Sequence, residues 1–382
     1  MITWAWAVIF SGLGAGEPTC SFAATARLPA ATVAHAATEL ADGRVLVTGG
    51  YGELFRVPIA ANLGRIYDPN TGKWRSARGQ MQVGRLAHAA VRLADGRVVL
   101  IGGINQARRP LASIEIFDPK TEKFRRIGEM LGAREFPRAT LLARGRILIT
   151  GGGKEAEILE QSKQDSAGWK VRKAPQVKQA RWGHVQLTLA DGRVLLAGGM
   201  RPTLEWFDPE KEKFTFFKAR LPEDLDDQAG VLLYDGRVLL AGGQTRRGRS
   251  VAGTWIFDPE RDTITPGREL HPTAAGKEQP GVSDMVAVDL FAGDRTQWGR
   301  YLLLAGGEFD PGSDHDTILD SAWIYDAEAG RLISVGPMRR PHDDFAAAFL
   351  PAPAGSARVL LIGGHGTGDS FQSECEIFNF RF

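Results

Sequence analysis

Asp191–Gly199 reads DGRVLLAGG, and the same nine letters return at Asp235–Gly243. Looser copies end at the glycine pairs Gly49-Gly50, Gly102-Gly103, Gly151-Gly152, Gly306-Gly307 and Gly363-Gly364, which makes seven. Successive pairs lie 53, 49, 47, 44, 64 and 57 residues apart, a period that belongs to solenoids and propellers. Before each pair runs a short β-branched and aliphatic stretch, too brief for a helix. Ahead of it stand Asp42-Gly43, Asp95-Gly96, Asp191-Gly192 and Asp235-Gly236. Asp-Gly between apolar runs signals a two-residue hairpin with positive φ at both residues. The partner strands are then Ala36–Leu40, Ala89–Leu93, Val185–Leu189 and Val231–Tyr234.

Downstream of each glycine pair a third strand ends in an aromatic residue and a turn: Ile66–Pro69, Ile116–Pro119, Trp206–Pro209, Ile256–Pro259 and Ile324–Ala327. Aspartate caps the following backbone and proline presets φ, so Asp-Pro starts a turn. A fourth strand opens near Trp74, Phe124, Trp169, Phe214, Ile264 and Leu332. Such a four-stranded sheet is apolar on both faces and cannot bury them alone. Radial stacking buries both, which defines a β-propeller. The third unit departs from the pattern, with Arg144-Gly145 at its turn, and the sixth carries an insertion around 294–298.

The seventh unit ends at Phe382 without a fourth strand. Phe22 lies 21 residues before Gly43, the spacing at which Phe124 precedes Gly145. Residues 22–27 are therefore expected to complete the seventh blade. The whole reading is an all-β chain: one seven-bladed propeller of four-stranded antiparallel blades over 20–382, closed by an N-terminal strand. That register sets Phe378 opposite Phe22, which keeps Cys375 several pairs from Cys20 and favours two separate thiols over a disulfide.

Hairpin, glycine pair, Tyr/Phe-Asp-Pro turn and spaced Trp or Phe resemble the Kelch propellers, the group that includes galactose-oxidase-like proteins. The resemblance implies a scaffold that carries either binding surfaces or enzymes. A copper-radical oxidase would need a crosslinked Cys-Tyr, a second Tyr and two His. Neither cysteine is expected beside a tyrosine on the loop face, so that activity is rejected.

Composition narrows the partners. A net charge of +2 over 382 residues gives no reason to expect nucleic acid, and two cysteines make no zinc spacing with histidine. Segment 1–19 opens with the apolar Trp4–Phe10 and has its first charge at Glu17. It is too short for a stable membrane span and resembles an export signal without the basic start, or a disordered apolar tail. The protein is expected to be exported if it is a signal and cytoplasmic otherwise, and to be a monomer.

Loops on one face of the disc collect the unusual residues. The lead-in to the innermost strand repeats as Arg85/His88 and Arg181/His184 and degrades to Arg134/Pro137, Arg340/Asp343 and Thr32/His35. These histidines are read as inter-blade structure; the arginines are open between structure and ligand. The ligand set expected at this face is Arg85, Arg134, Arg181, Trp182, Arg340, His342, Asp343 and His365, with exposed aromatics Tyr51, Phe55, Phe136, Trp182, Phe309 and Phe371 interleaved. Asp310, Asp314 and Asp316 are weak candidates for a hard cation; no cofactor is otherwise expected. The functional expectation is a non-enzymatic module that binds a glycan or protein partner. Two alternatives stay beside it. One is a sugar mutarotase or isomerase like the sialic-acid mutarotases, using Asp343 or Asp344 with His342. The other is a purely structural ring.

Overall fold

The computed structural model describes residues 18–54, 57–165, 168–291, 299–312, 316–368 and 370–381. These fold into seven four-stranded antiparallel sheets. In blades 1 to 6 the chain runs outward strand by strand; in blade 4, for example, through Val185–Thr188, Val194–Ala197, Thr203–Asp208 and Lys213–Arg220. Blade 7 takes Ala346–Leu350, Ser356–Ile362 and Cys375–Arg381 from the C-terminus and its outer strand, Thr19–Ala24, from the N-terminus. Each innermost strand packs on the next, and the innermost strand of blade 7 on that of blade 1, so the ring is shut.

Second strands such as Val194–Ala197 are buried at every residue, whereas innermost strands such as Ala36–Glu39 are half-buried along their length. That difference is the channel: an innermost strand has neighbours on one side and the open axis on the other. Hydrophobic clusters lie between blades, as the two-faced sheets require.

The closing strand is in the expected register, with Phe22 opposite Phe378 and the two rings 5.1 Å apart. Cys20 pairs with Phe380, and Cys375 lies beyond the far end of that ladder, its carbonyl accepting Thr25 N–H. Both thiols are free and buried, and burial pushes each up to about 12.

The hairpin turn differs from the type I′ expectation. Gly43 has φ +80 but Asp42 is not in the left-handed region. Gly43 N–H donates to Leu40 C=O, and Leu40 N–H to Arg44 C=O, the three-residue loop with a left-handed glycine. The aspartate is there for the arginine that follows. Asp42 Oδ1 accepts Arg44 N–H and Oδ2 accepts its Nε at 2.8 Å, and Asp95/Arg97, Asp191/Arg193 and Asp235/Arg237 repeat the arrangement. DGR is thus one unit.

The glycine pair clasps neighbouring blades. Gly50 N–H donates to Arg85 C=O, Gly103 to Arg134, Gly243 to Val282, Gly307 to His342 and Gly364 to Thr32, the last across the closure. Gly50 has φ +97, and a Cβ there would lie 2.1 Å from Thr32 Oγ1, so no larger residue fits.

Candidate functional site: the channel mouth

Two residues ahead of each innermost strand, the chain enters the left-handed region. The seven positions are Ala34, Ala87, Phe136, Gly183, Asp227, Asp284 and Asp344, with φ between +46 and +57. Their backbones link blade to blade around the axis: Ala34 N–H donates to Asp344 C=O, Ala87 to Ala34, Asp227 to Gly183 and Asp284 to Asp227. Aspartate tolerates this conformation better than most residues. Blades 5, 6 and 7 therefore place three carboxyl groups side by side on the mouth.

Others join them. Asp343 precedes Asp344 and is 5% exposed; Asp226 precedes Asp227; Glu308 follows the sixth glycine pair. Burial, then Asp227, Asp343, Asp344 and Glu308, hold the Asp284 carboxyl well above its usual range. Burial, then the charges of Asp343, Asp316, Asp344 and Asp310, push Glu308 up to about 8. Burial with Asp227 takes Asp226 to about 7. Asp344 rises to about 6, from desolvation by the surrounding protein and the charge of Asp343, offset by His365. Its side chain is nonetheless 48% exposed, as suits a group crowded on the wall of an open channel. Arg138 faces this arc and lowers Asp227 against its burial.

Blades 3 and 4 contribute a different surface. Phe136 is 49% and Trp182 43% exposed, at or beside their ring positions. A Cβ on Gly183 would lie 2.5 Å from Asp227 Oδ1, so the carboxylate arc begins directly against the residue after Trp182. Of the other expected aromatics, Tyr51 packs on Phe371, which packs on His365. Phe309 is half-buried, and Phe55 lies outside the described residues.

Several expected ligand groups are not at the mouth. Arg85, Arg134 and Arg181 turn into their own blades, where each meets a buried glutamate at 2.7 Å: Glu115, Glu157 and Glu205. Reading them as ligand contacts is corrected for a physical reason. A buried guanidinium needs a counter-charge and acceptors, and all of these lie inside the blade. The same glutamates accept the backbone N–H three residues before each arginine, at Gln82, Leu131 and Lys178, which pins the crossing chain. His342 takes the arginine's place in blade 7, bonded to Gly363 C=O at 2.7 Å and Glu376 at 3.0 Å. It is fully buried and cannot serve at a sugar ring with Asp343 or Asp344. Arg340, two residues earlier, is not the arginine of the repeat. It lines a separate groove of about 620 Å³ with Phe22, Arg27 and Glu374. Trp182, Asp343 and His365 are at the mouth as expected.

Two of the lead-in histidines bridge blades through threonine hydroxyls rather than backbone: His88 to Thr48 and His184 to Thr150, each at 2.9 Å. Burial keeps them neutral, with His88 down at about 3. Among the cation candidates, Asp310 is spent as a brace, accepting Gln244 Nε2 at 2.9 Å; Asp316 is exposed; and Asp314 lies outside the described residues.

Asp284 was not singled out from the sequence. A usable signal existed: the ring position lies fifteen residues before the first glycine of the pair in units 1 to 5. Insertions lengthen that interval in units 6 and 7 and hide Asp284 and Asp344 from simple counting.

The raised carboxyls have a thermodynamic consequence. Above about pH 7.5 the buried histidines are neutral in folded and unfolded chains alike. Folded Glu308, pushed up to about 8, still holds a proton there that the unfolded chain has released, so stability falls as pH rises through its folded pKa. We expect the melting temperature to drop from pH 7.5 to 9 and Glu308→Gln to flatten part of that drop. A profile that rises with pH, or that Glu308→Gln leaves unchanged, contradicts the assignment.

The Kelch motif model matches residues 85–131, which run from the lead-in of blade 2 through its outer strand. No curated protein matches the chain. Among solved structures, a fungal alcohol oxidase of the AA5 family, described in complex with copper, is similar at a TM-score of 0.68 and 16% identity. The match covers 94% of this chain and 76% of that one. At that identity the likeness is one of fold. The residues here do not suit a copper-radical centre: both cysteines are buried in core clusters beside the closing strands, away from the mouth. No helix among the described residues is long and apolar enough to cross a membrane. Seven blades, their shared repeat and the motif match together make this chain a Kelch-type seven-bladed β-propeller.

Proposed function

We propose that this Kelch-type propeller is a non-enzymatic binding module whose channel mouth takes a protein partner presenting a lysine or arginine beside an apolar side chain. One observation carries the reading: two exposed aromatic rings, Phe136 and Trp182, stand in adjoining blades against an arc of crowded carboxyl groups. Exposed Trp and Phe offer large rigid contact area. A cation entering the arc favours the ionised form of Asp227, Asp284 and Glu308 and relieves their mutual repulsion.

An immobilised peptide library tests this directly. Peptides pairing a basic with an aromatic or aliphatic residue should be retained over acidic ones, and Trp182→Ala should weaken them about 30-fold, a hot-spot loss of ~2 kcal/mol. Retention independent of peptide charge, or unaffected by Trp182→Ala, sinks the proposal. Retention of glycans instead, with the same sensitivity, moves the ligand to a carbohydrate.

A second reading has a specific observation behind it. With Glu308 near 8 and Asp344 near 6, the mouth holds one mainly protonated and one mainly ionised carboxyl at neutral pH, the division that proton transfer at a sugar ring requires. Accelerated anomer exchange in a sugar mixture, lost in Glu308→Gln, would assign the protein to that chemistry.

A further inference from the structure

Asp343, Asp344 and His365 meet at the blade 7 side of the mouth. Two backbone hydrogen bonds hold the first and last together, Asp343 N–H to His365 C=O at 3.1 Å and His365 N–H to Asp343 C=O at 2.7 Å. His365 is fixed further by stacking on Phe371, with centroids 5.4 Å apart. Asp344 is fixed by its ring position, its carbonyl accepting Ala34 N–H. His365 Nδ1 lies 3.9 Å from Asp343 Oδ2 and 3.9 Å from Asp344 Oδ2. One ligand atom from each residue fits within a 4.8 Å span.

A second observation points to a missing partner. Asp343 is 95% removed from solvent, and its Oδ1 has no hydrogen-bond donor. Buried carboxylate oxygens are costly to leave unmatched. Around this one the protein adds Asp344, Asp227, Asp284 and Glu308 rather than an arginine, whereas the buried Glu115, Glu157 and Glu205 of blades 2 to 4 each have one.

We propose that Asp343, Asp344 and His365 form a binding site for a divalent transition ion, zinc or manganese. The donor set selects the class. Two carboxylate oxygens and one imidazole nitrogen suit Zn²⁺ or Mn²⁺. Calcium prefers six to eight oxygens, and the set has no thiolate to favour a softer ion. Ligands at about 2.0–2.2 Å from zinc are separated by roughly 3.4 Å, so the three side chains need to close by about half an ångström to at most about 1.4 Å. Three protein ligands leave further positions empty. Because Asp344 is half open to the channel, those positions face the mouth, and the ion would present a Lewis-acidic, water-exchangeable face to whatever enters. Asp310 and Asp316 are not among its three ligands. The inference is independent of what partner the aromatic side takes.

The test uses the full chain, tag-free and stripped with chelator, titrated with ZnCl₂ and MnCl₂ by calorimetry and by thermal shift. One ion per chain should bind at micromolar concentration and raise the melting temperature. His365→Gln and Asp344→Asn should each weaken binding at least tenfold. Both sites are partly exposed, so the variants should fold, which their metal-free melting temperatures check. His271→Gln removes an exposed imidazole beside Glu278 and should leave the high-affinity step intact, as should Asp310→Asn. Calcium should not compete at equal concentration. Binding only at millimolar ion, binding insensitive to both His365→Gln and Asp344→Asn, or binding abolished by His271→Gln would each overturn the proposal.

Discussion

Replacing Arg181 with alanine is expected to lower the stability of the propeller by about 3–5 kcal/mol, the cost of stranding one member of a buried ion pair. Arg181 is 1% and Glu205 0% exposed. Its Nε donates to Glu205 at 2.7 Å, Nη1 to Gly198 C=O at 2.5 Å and Nη2 to Thr203 Oγ1 at 2.9 Å. Glu205 uses its second oxygen on Lys178 N–H at 2.8 Å. Removing the arginine leaves a buried carboxylate with a single donor and releases the carbonyl of the glycine pair. Lysine should rescue little, because a point charge cannot reach three acceptors set out for a fork. The double variant Arg181→Met with Glu205→Leu should recover much of the loss, since removing both charges is far less costly than removing one. Denaturant midpoints of the three variants settle it; a loss under 1 kcal/mol in Arg181→Ala would falsify the structural role and return the arginine to the list of ligand groups.

Deleting residues 1–28 should destabilise the whole ring rather than one blade. The deletion strips the outer strand from Cys375–Arg381 along six paired positions. It removes Phe22 and Cys20 from the cluster shared by blades 6 and 7, whose burial contributes roughly 3–4 kcal/mol. It also cuts two ties to blade 1: Thr25 Oγ1 to Tyr67 Oη at 2.7 Å, and Trp74 Nε1 to Ala26 C=O at 2.9 Å. The N-terminal segment therefore joins the last blade to the first, where no other covalent continuity exists. We expect a melting temperature lower by roughly 5–10 °C and aggregation through the bared edge. Phe22→Ala should reproduce part of the loss without opening the edge. An unchanged melting temperature in the truncated chain would show that closure rests on the innermost strands alone.

Both expectations bear on how the mouth is built. The arginine–glutamate pairs and the closing strand hold the lead-in segments in place, and those segments carry the ring of left-handed residues. Where the pair is present, in blades 2, 3 and 4, the ring position is Ala87, Phe136 or Gly183. Acidic ring residues begin in blade 5, where Trp255 occupies the third-strand position that Glu205 holds in blade 4. Blade 7 keeps the buried glutamate, Glu376, with His342 as its partner and still has Asp344 at the ring, and blade 1 has Ala34 there without the arginine, so the ring residue is set separately from the pair inside the blade.

The sequence by itself determined the architecture. DGRVLLAGG and its six relatives repeat in phase, and a two-faced four-stranded unit has no way to bury itself except in a ring. The missing seventh outer strand and the spacing of Phe22 determined how the ring shuts, because a strand ladder permits one register for a given apolar pattern. What only the tertiary structure decided is which polar residues face inward. Arg85, Arg134, Arg181 and His342 look like ligand groups in a string of letters, since a charge beside a loop is ordinarily solvated. Their glutamates lie 23 to 34 residues further on, and only folding shows the pairs meeting. Asp227, Asp284 and Asp344 are distant in sequence and differ in their spacing from the glycines. They become neighbours because seven lead-in segments of one chain turn left-handed around one axis, and carboxyl groups brought together there lose water and repel one another, which no local pattern records.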